Sequence, residues 1–215
     1  MTEFEKELRT WIDQDGLVGN QPNPPKWSTG NAVLETAMAI QLCKKHSAIS
    51  LAAELTQAVG NCWYNKSLHK NPGRTDQITH DDLLGFASID PKYANLICHV
   101  GVRNGWNLSN TGFNYFTSQA KPWHQSAYLA MASEYECGLY DGLILGFWLV
   151  IAAFTASSSG LRLAWLVSQS ANFRMDRFFI PIFNAILKSR GKTIKQINQD
   201  YYGPNWESHP LVKYA

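Results

Sequence analysis

The sequence predicts an all-α fold, a single domain over residues 1–215 built from antiparallel helical hairpins. Three observations carry this. Apolar residues recur at i, i+3, i+4 and i+7 along much of the chain. Helix-start signatures, a Thr or Asp followed by an acid, amide or proline at the right offset, stand before several of those runs. No clear run of alternating residues bounded by hairpin turns is present.

In chain order, residues 2–13 place Phe4, Leu8, Trp11 and Ile12 on one face of a first helix. A Gly/Pro/Asn loop follows, "QDGLVGNQPNPPKWSTGN", long enough to suggest a role of its own. A helix from about Thr29 to Lys45 is apolar on most sides, and another from Ala48 to about Asn61 aligns Leu51, Leu55 and Val59. After the polar loop "NKSLHKNPGRTDQ", Thr79-His-Asp-Asp82 opens a short helix with a capping-box pattern. Asp90-Pro91 then reads as an N-cap with proline at the first helical position, ahead of Ala94, Ile97, Cys98 and Gly101 on one stripe. The Asn-rich loop "RNGWNLSNTGFN" follows, and then helices from about Pro122 to Glu136, Tyr140 to Thr155, Leu161 to Ala171 and Met175 to Ser189. The last runs from Ile194 to about Tyr202, capped by Thr193 with Gln196 three residues on, and residues 203–215 read as an irregular tail strapped over the body or into a neighbour. Long polar loops precede the helices that are most apolar all round. Inner helices of an α/α toroid have this character, and a partial toroid fits this length of chain.

Composition narrows the function classes. Charged residues make up 17 % of the chain, below the usual quarter, and the net charge is only +2. A dedicated nucleic-acid binder would carry a basic stripe. Here the nearest feature is Lys188, Arg190, Lys192 and Lys195, which reads as a helix C-terminus followed by a loop around Gly191. Eight Trp, nine Tyr and ten Phe accompany a polar, weakly charged coat, which is cheap to desolvate and suits burial against partners. Cys43, Cys62, Cys98 and Cys137 stand far apart inside helical patterns, so reduced buried thiols and an intracellular setting are expected. The start "MTEFEKELRTW" is charged and amphipathic, unlike a secretory signal. The uncharged run from Gly142 to Gly160 ends in Ala-Ser-Ser-Ser-Gly and reads as a central bundle helix rather than a membrane span. No cofactor fingerprint, P-loop, nucleophile elbow or zinc-ligand spacing is found, so no cofactor is expected.

The densest chemistry lies in "GRTDQITHDDLLG". Asp76, His80 and Asp81, with Asp15 and Glu35 joining them if a funnel forms, are the candidate catalytic residues, His80 acting as acid or base against an oriented carboxylate. No metal site is expected; Asp76, His80 and Asp82 are the candidate ligands should an oxygen-preferring cation bind. The structural reading of the same residues is a helix start: Thr79 caps, Asp82 closes the box, Asp81 favours the positive end of the dipole and His80 fixes the preceding loop. The Asp-Asp-x-x-Asp motif of isoprenoid synthases does not match, because Gly85 stands where the third acid belongs. Trp106, Trp123, His124 and Trp206 sit near loop–helix junctions or in the tail and are the candidate interaction residues.

Asp76-x-x-x-His80-Asp81-Asp82-Leu-Leu-Gly85, followed by an Asn/Trp-rich segment and a closing "HPLVKYA", resembles an uncharacterised group of tailed-bacteriophage proteins. The resemblance implies a phage origin and a virion component made in the host cytoplasm. The resulting expectation is a structural or assembly protein that binds itself or other tail, neck or capsid proteins, with no membrane and no dedicated nucleic acid. The competing expectation is a hydrolase or lyase acting on a carbohydrate or cell-wall polymer through a funnel lined by Asp76, His80, Asp81 and Asp15.

Overall fold

The computed structural model describes residues 1–25, 32–65, 79–108, 119–137 and 176–214. It is all-α. Among the described residues the helices are α1 (Glu3–Arg9), α2 (Ala32–Lys45), α3 (Ile49–Asn65), α4 (His80–Ile89), α5 (Pro91–Arg103), α6 (Pro122–Cys137), α7 (Asp176–Ser189), α8 (Ile194–Tyr202) and α9 (Pro210–Lys213). A 3₁₀ turn at Trp206–Ser208 lies between α8 and α9, and no strand occurs among these residues, only isolated bridges at Ile12–Val18 and Asn107–Gln119. The helices expected over 140–155 and 161–171, and the apolar run from Gly142 to Gly160, lie outside the described residues. Among the described residues no helix is long and apolar enough to cross a membrane.

Side-chain caps set several of the helix starts. Thr2, Thr79 and Thr193 each accept the backbone N–H three residues on, while Glu5, Asp82 and Gln196 reach back to the cap's own N–H. Asp90 ends α4 and opens α5, its carboxylate accepting from Lys92 N–H at 3.0 Å with Pro91 at the first helical position. The first helix is shorter than the apolar pattern suggests. It stops at Arg9 because the chain turns to bring Ile12 against Val18, held by Asp13 Oδ1 accepting from the N–H groups of Asp15 and Leu17.

The core centres on α2 and α4. Every residue of α2 from Ala32 to Cys43 is buried, which fits a helix covered on all sides and not an amphipathic surface helix. It packs against α3, α4 and α9, while α4 also touches α3, α5 and α6, and α5 packs along α6. Arg9 clamps α1 to α3 with a paired bond to Glu54, both contacts 2.8 Å.

The tail corrects one expectation. Residues 203–215 are not wholly irregular, since they hold the 3₁₀ turn and the single turn of α9. Pro210 follows His209, whose Nδ1 accepts from Leu211 N–H at 3.2 Å, so a histidine serves as the cap. His209 is buried, its ring 3.9 Å from that of Tyr202 and 4.5 Å from that of Trp11. Further on, Lys213 Nζ and Tyr214 Oη both bond Glu7 at 2.6 Å, and His46 Nε2 meets Tyr214 O at 2.8 Å. The C-terminal strap thus closes against α1 and the end of α2.

Candidate functional site

The first turn of α4 is the junction of the core. Thr79 is extended (φ −79°, ψ 163°), and its Oγ1 accepts from Asp82 N–H at 3.1 Å. Asp82 Oδ2 accepts in return from Thr79 N–H at 3.2 Å and Thr79 Oγ1–H at 2.9 Å. Its other oxygen, Oδ1, accepts from Val33 N–H at 3.2 Å, in the first turn of α2. One fully buried carboxylate therefore serves two helix N-termini, where free N–H groups and the positive dipole ends favour an acceptor. One turn further along, Gly85 meets the same part of α2. A Cβ there would fall 2.8 Å from Val33 O and 2.9 Å from Leu34 N, so only glycine lets the two backbones approach this closely.

The remaining two residues of the cluster face α6. Tyr128 Oη donates to His80 O at 3.0 Å and stands 3.3 Å from His80 Nδ1. A hydroxyl has one proton, and here it goes to the carbonyl. His80 Nδ1 is therefore the donor to Tyr128. His124 Nδ1 accepts from Lys121 N–H at 3.1 Å, taking the part that an acid or amide takes in a capping box. That bond leaves the imidazole proton on Nε2, which faces Asp81 Oδ1 at 3.5 Å. The two imidazoles lie 4.9 Å apart between centroids, and Trp106 stacks at 6.4 Å on Tyr128. Trp106 holds φ +62°, with its ring filling the space above Gly101, where a Cβ would meet Trp106 Cε3 at 2.4 Å.

The structure thus brings His80, Asp81 and Asp82 together with His124 and Trp106, and adds Tyr128 and the Val33 N–H, which sequence reasoning had not named. Tyr128 reads as one more apolar-face residue of α6, so only its partner marks it. Asp76 lies outside the described residues, as does the side chain of Trp123. Asp15 sits in the Asp13–Gly16 turn against α3, where a Cβ on Gly16 would come 2.9 Å from Ala58 Cβ. Burial drives the Cys62 thiol up to about 12, with the negative charges of Asp82, Asp13 and Asp15 adding to the effect. Glu35 goes elsewhere, accepting from Tyr202 Oη at 2.7 Å and so joining α2 to α8. Trp206 lies in the tail, with Lys195 Nζ 6.0 Å from its ring.

Chemically, this cluster is a joint. Asp82 holds α2 to α4, and His80 with Tyr128 and Asp81 with His124 hold α4 to α6. Both ring nitrogens of His124 face partners of their own, so proton transfer through it would break the start of α6. Among the described residues no group of three or more His, Cys, Asp or Glu side chains is arranged to hold a metal ion. No protein-family model, curated protein or solved structure matches this chain.

Proposed function

We propose that this chain is a structural protein of a bacteriophage particle, assembling with copies of itself or with other tail, neck or capsid proteins. The observation that carries the reading is the use made of the Asp/His cluster. The side chains with most catalytic potential bond neighbouring helices together, as a scaffold requires. Support also comes from the resemblance of Asp76-x-x-x-His80-Asp81-Asp82-Leu-Leu-Gly85 to tailed-phage proteins, from the weakly charged, aromatic-rich composition, and from apolar side chains left exposed on packed helices. Leu96 and Val102 on α5 and Leu129 on α6 are each more than two-fifths exposed.

Mass spectrometry of purified particles tests the reading. The account expects this chain in the virion in multiple copies, and in solution as an oligomer or a complex. Absence from particles, together with a monomer in solution, would overturn it. Turnover of host-envelope polysaccharide that is lost in Asp81→Asn would establish the hydrolase or lyase instead.

A further inference from the structure

Lys188, Arg190, Lys192 and Lys195 fall within eight residues of a chain that carries 19 cations in all. They surround the turn between α7 and α8, which is rigid for identifiable reasons. Gly191 takes φ +62°, its N–H donates to Lys188 O at 3.0 Å, and Lys192 N–H donates to Leu187 O at 2.9 Å, closing the end of α7. Thr193 and Gln196 then cap α8 from the other side. The turn satisfies its own backbone and leaves the lysine side chains to its rim.

A cavity of about 530 Å³ opens at this turn. Leu187 and Ile194 line it together with Lys188, Lys192 and Lys195. Lys192 also bonds Asp200 at 2.8 Å, and Lys195 reaches toward the half-buried Trp206. The combination is an apolar pocket with a cationic rim. A phosphate chain needs a track of cations along a strand, and among the described residues the cations that line this cavity are all lysines, without the guanidinium fork that best grips phosphate. Lysine ammonium groups around an apolar pocket instead match a peptide that carries carboxylates beside an apolar side chain.

We propose that the α7–α8 turn is a docking site for an acidic protein segment with an apolar anchor residue, the anchor entering the cavity and its carboxylates meeting Lys188, Lys192 and Lys195. The proposal deepens the partner-binding role given above by naming the chemistry of one partner. Its failure is separable, because particle composition tests that role whereas peptide binding in solution tests this site.

The experiment is fluorescence anisotropy with a fluorescein-labelled hexapeptide of alternating glutamate and leucine, titrated with the full chain at low salt. Saturable binding is expected, falling as salt rises. The double variant Lys188→Glu/Lys195→Glu should weaken it by about tenfold or more, and Lys6→Glu on α1, away from the turn, should leave it unchanged. Both changed lysines are exposed, so the variants keep their fold, which circular dichroism checks. No saturable binding, undiminished binding by the double variant, or equally tight binding of single-stranded DNA of the same charge would each overturn the proposal.

Discussion

Asp82 and Gly85, one helical turn apart on α4, meet the same short piece of α2: the carboxylate accepts from Val33 N–H, and the glycine lies against Val33 O and Leu34 N. One sets the register of the two helices and the other sets how closely they approach. The spacing Asp-x-x-Gly is what a helix needs to present both to one neighbour.

Gly85→Ala therefore has a definite expected cost. The added methyl meets backbone atoms at 2.8–2.9 Å, which cannot rotate away. Overpacking of this kind costs about 1–3 kcal/mol, more than offsetting the gain in helix propensity. Urea unfolding should show a lower midpoint at an unchanged slope. Gly60, which has open space around its Cβ position, is the control, and Gly60→Ala should be neutral or stabilising.

The strap should respond to pH at both extremes. Burial works to raise the Glu7 carboxyl, but the bonds from Lys213 and Tyr214 outweigh it and hold it below its usual 4.5. Glu7 in turn raises Lys213 from 10.5 to about 12. On the acid side the unfolded carboxylate takes up its proton first. The contribution of Glu7 is thus complete above pH 4.5 and lost as pH falls through the lower folded value. On the alkaline side the contribution of Lys213 is complete below pH 10.5 and lost as pH rises through about 12. Tyr214, raised above its usual 10.0 by the same Glu7 bond, contributes fully below pH 10.0 and is lost as pH rises through its folded value. The difference in melting temperature between the native chain and Glu7→Gln should therefore be flat from pH 4.5 to 10.0, narrow beyond both, and shrink with salt. A difference independent of pH would contradict the role given to the Glu7 bonds in holding the strap.

Thiol reactivity is the third expectation. Burial pushes Cys43 and Cys62 up to about 12, so neither carries useful thiolate near neutral pH. Labelling of the folded chain with Ellman's reagent at about pH 8, followed by peptide mapping, should leave both unmodified until denaturant is added. Rapid modification of Cys62 in the folded chain would mean that the cluster around Asp82 is open to solvent.

What could be read in advance, and what could not, divides by distance along the chain. The caps at Thr79, Asp90 and Thr193 were legible because donor and acceptor lie two or three residues apart, a spacing written in the sequence itself. The second duty of Asp82 was not, since Val33 stands 49 residues away. In the sequence Gly85 is a missing acid and a motif position, and its packing reason is hidden there because that reason is a helix crossing. His124 reads as a junction aromatic, but its pairing with Asp81 needs α4 and α6 side by side. Glu35 joins the other acids only if a funnel is shared, whereas its bond runs to Tyr202, 167 residues on. The short helices in the tail escaped because a histidine cap and a single turn leave almost no periodic signal.

The central claim is that the Asp/His cluster is a joint between helices, and equilibrium unfolding of Asp82→Ala in urea tests it most directly. The substitution removes the second half of the Thr79 cap and leaves the buried Val33 N–H without this acceptor. The account predicts a loss of about 2–4 kcal/mol, clearly more than the ~1 kcal/mol expected for Thr79→Ala, which breaks the local cap alone. A residue kept for chemistry is often held at some expense of stability, so its removal leaves the fold as stable or more so. An Asp82→Ala chain that unfolds at the same urea concentration as the native one, or a higher one, would contradict the account.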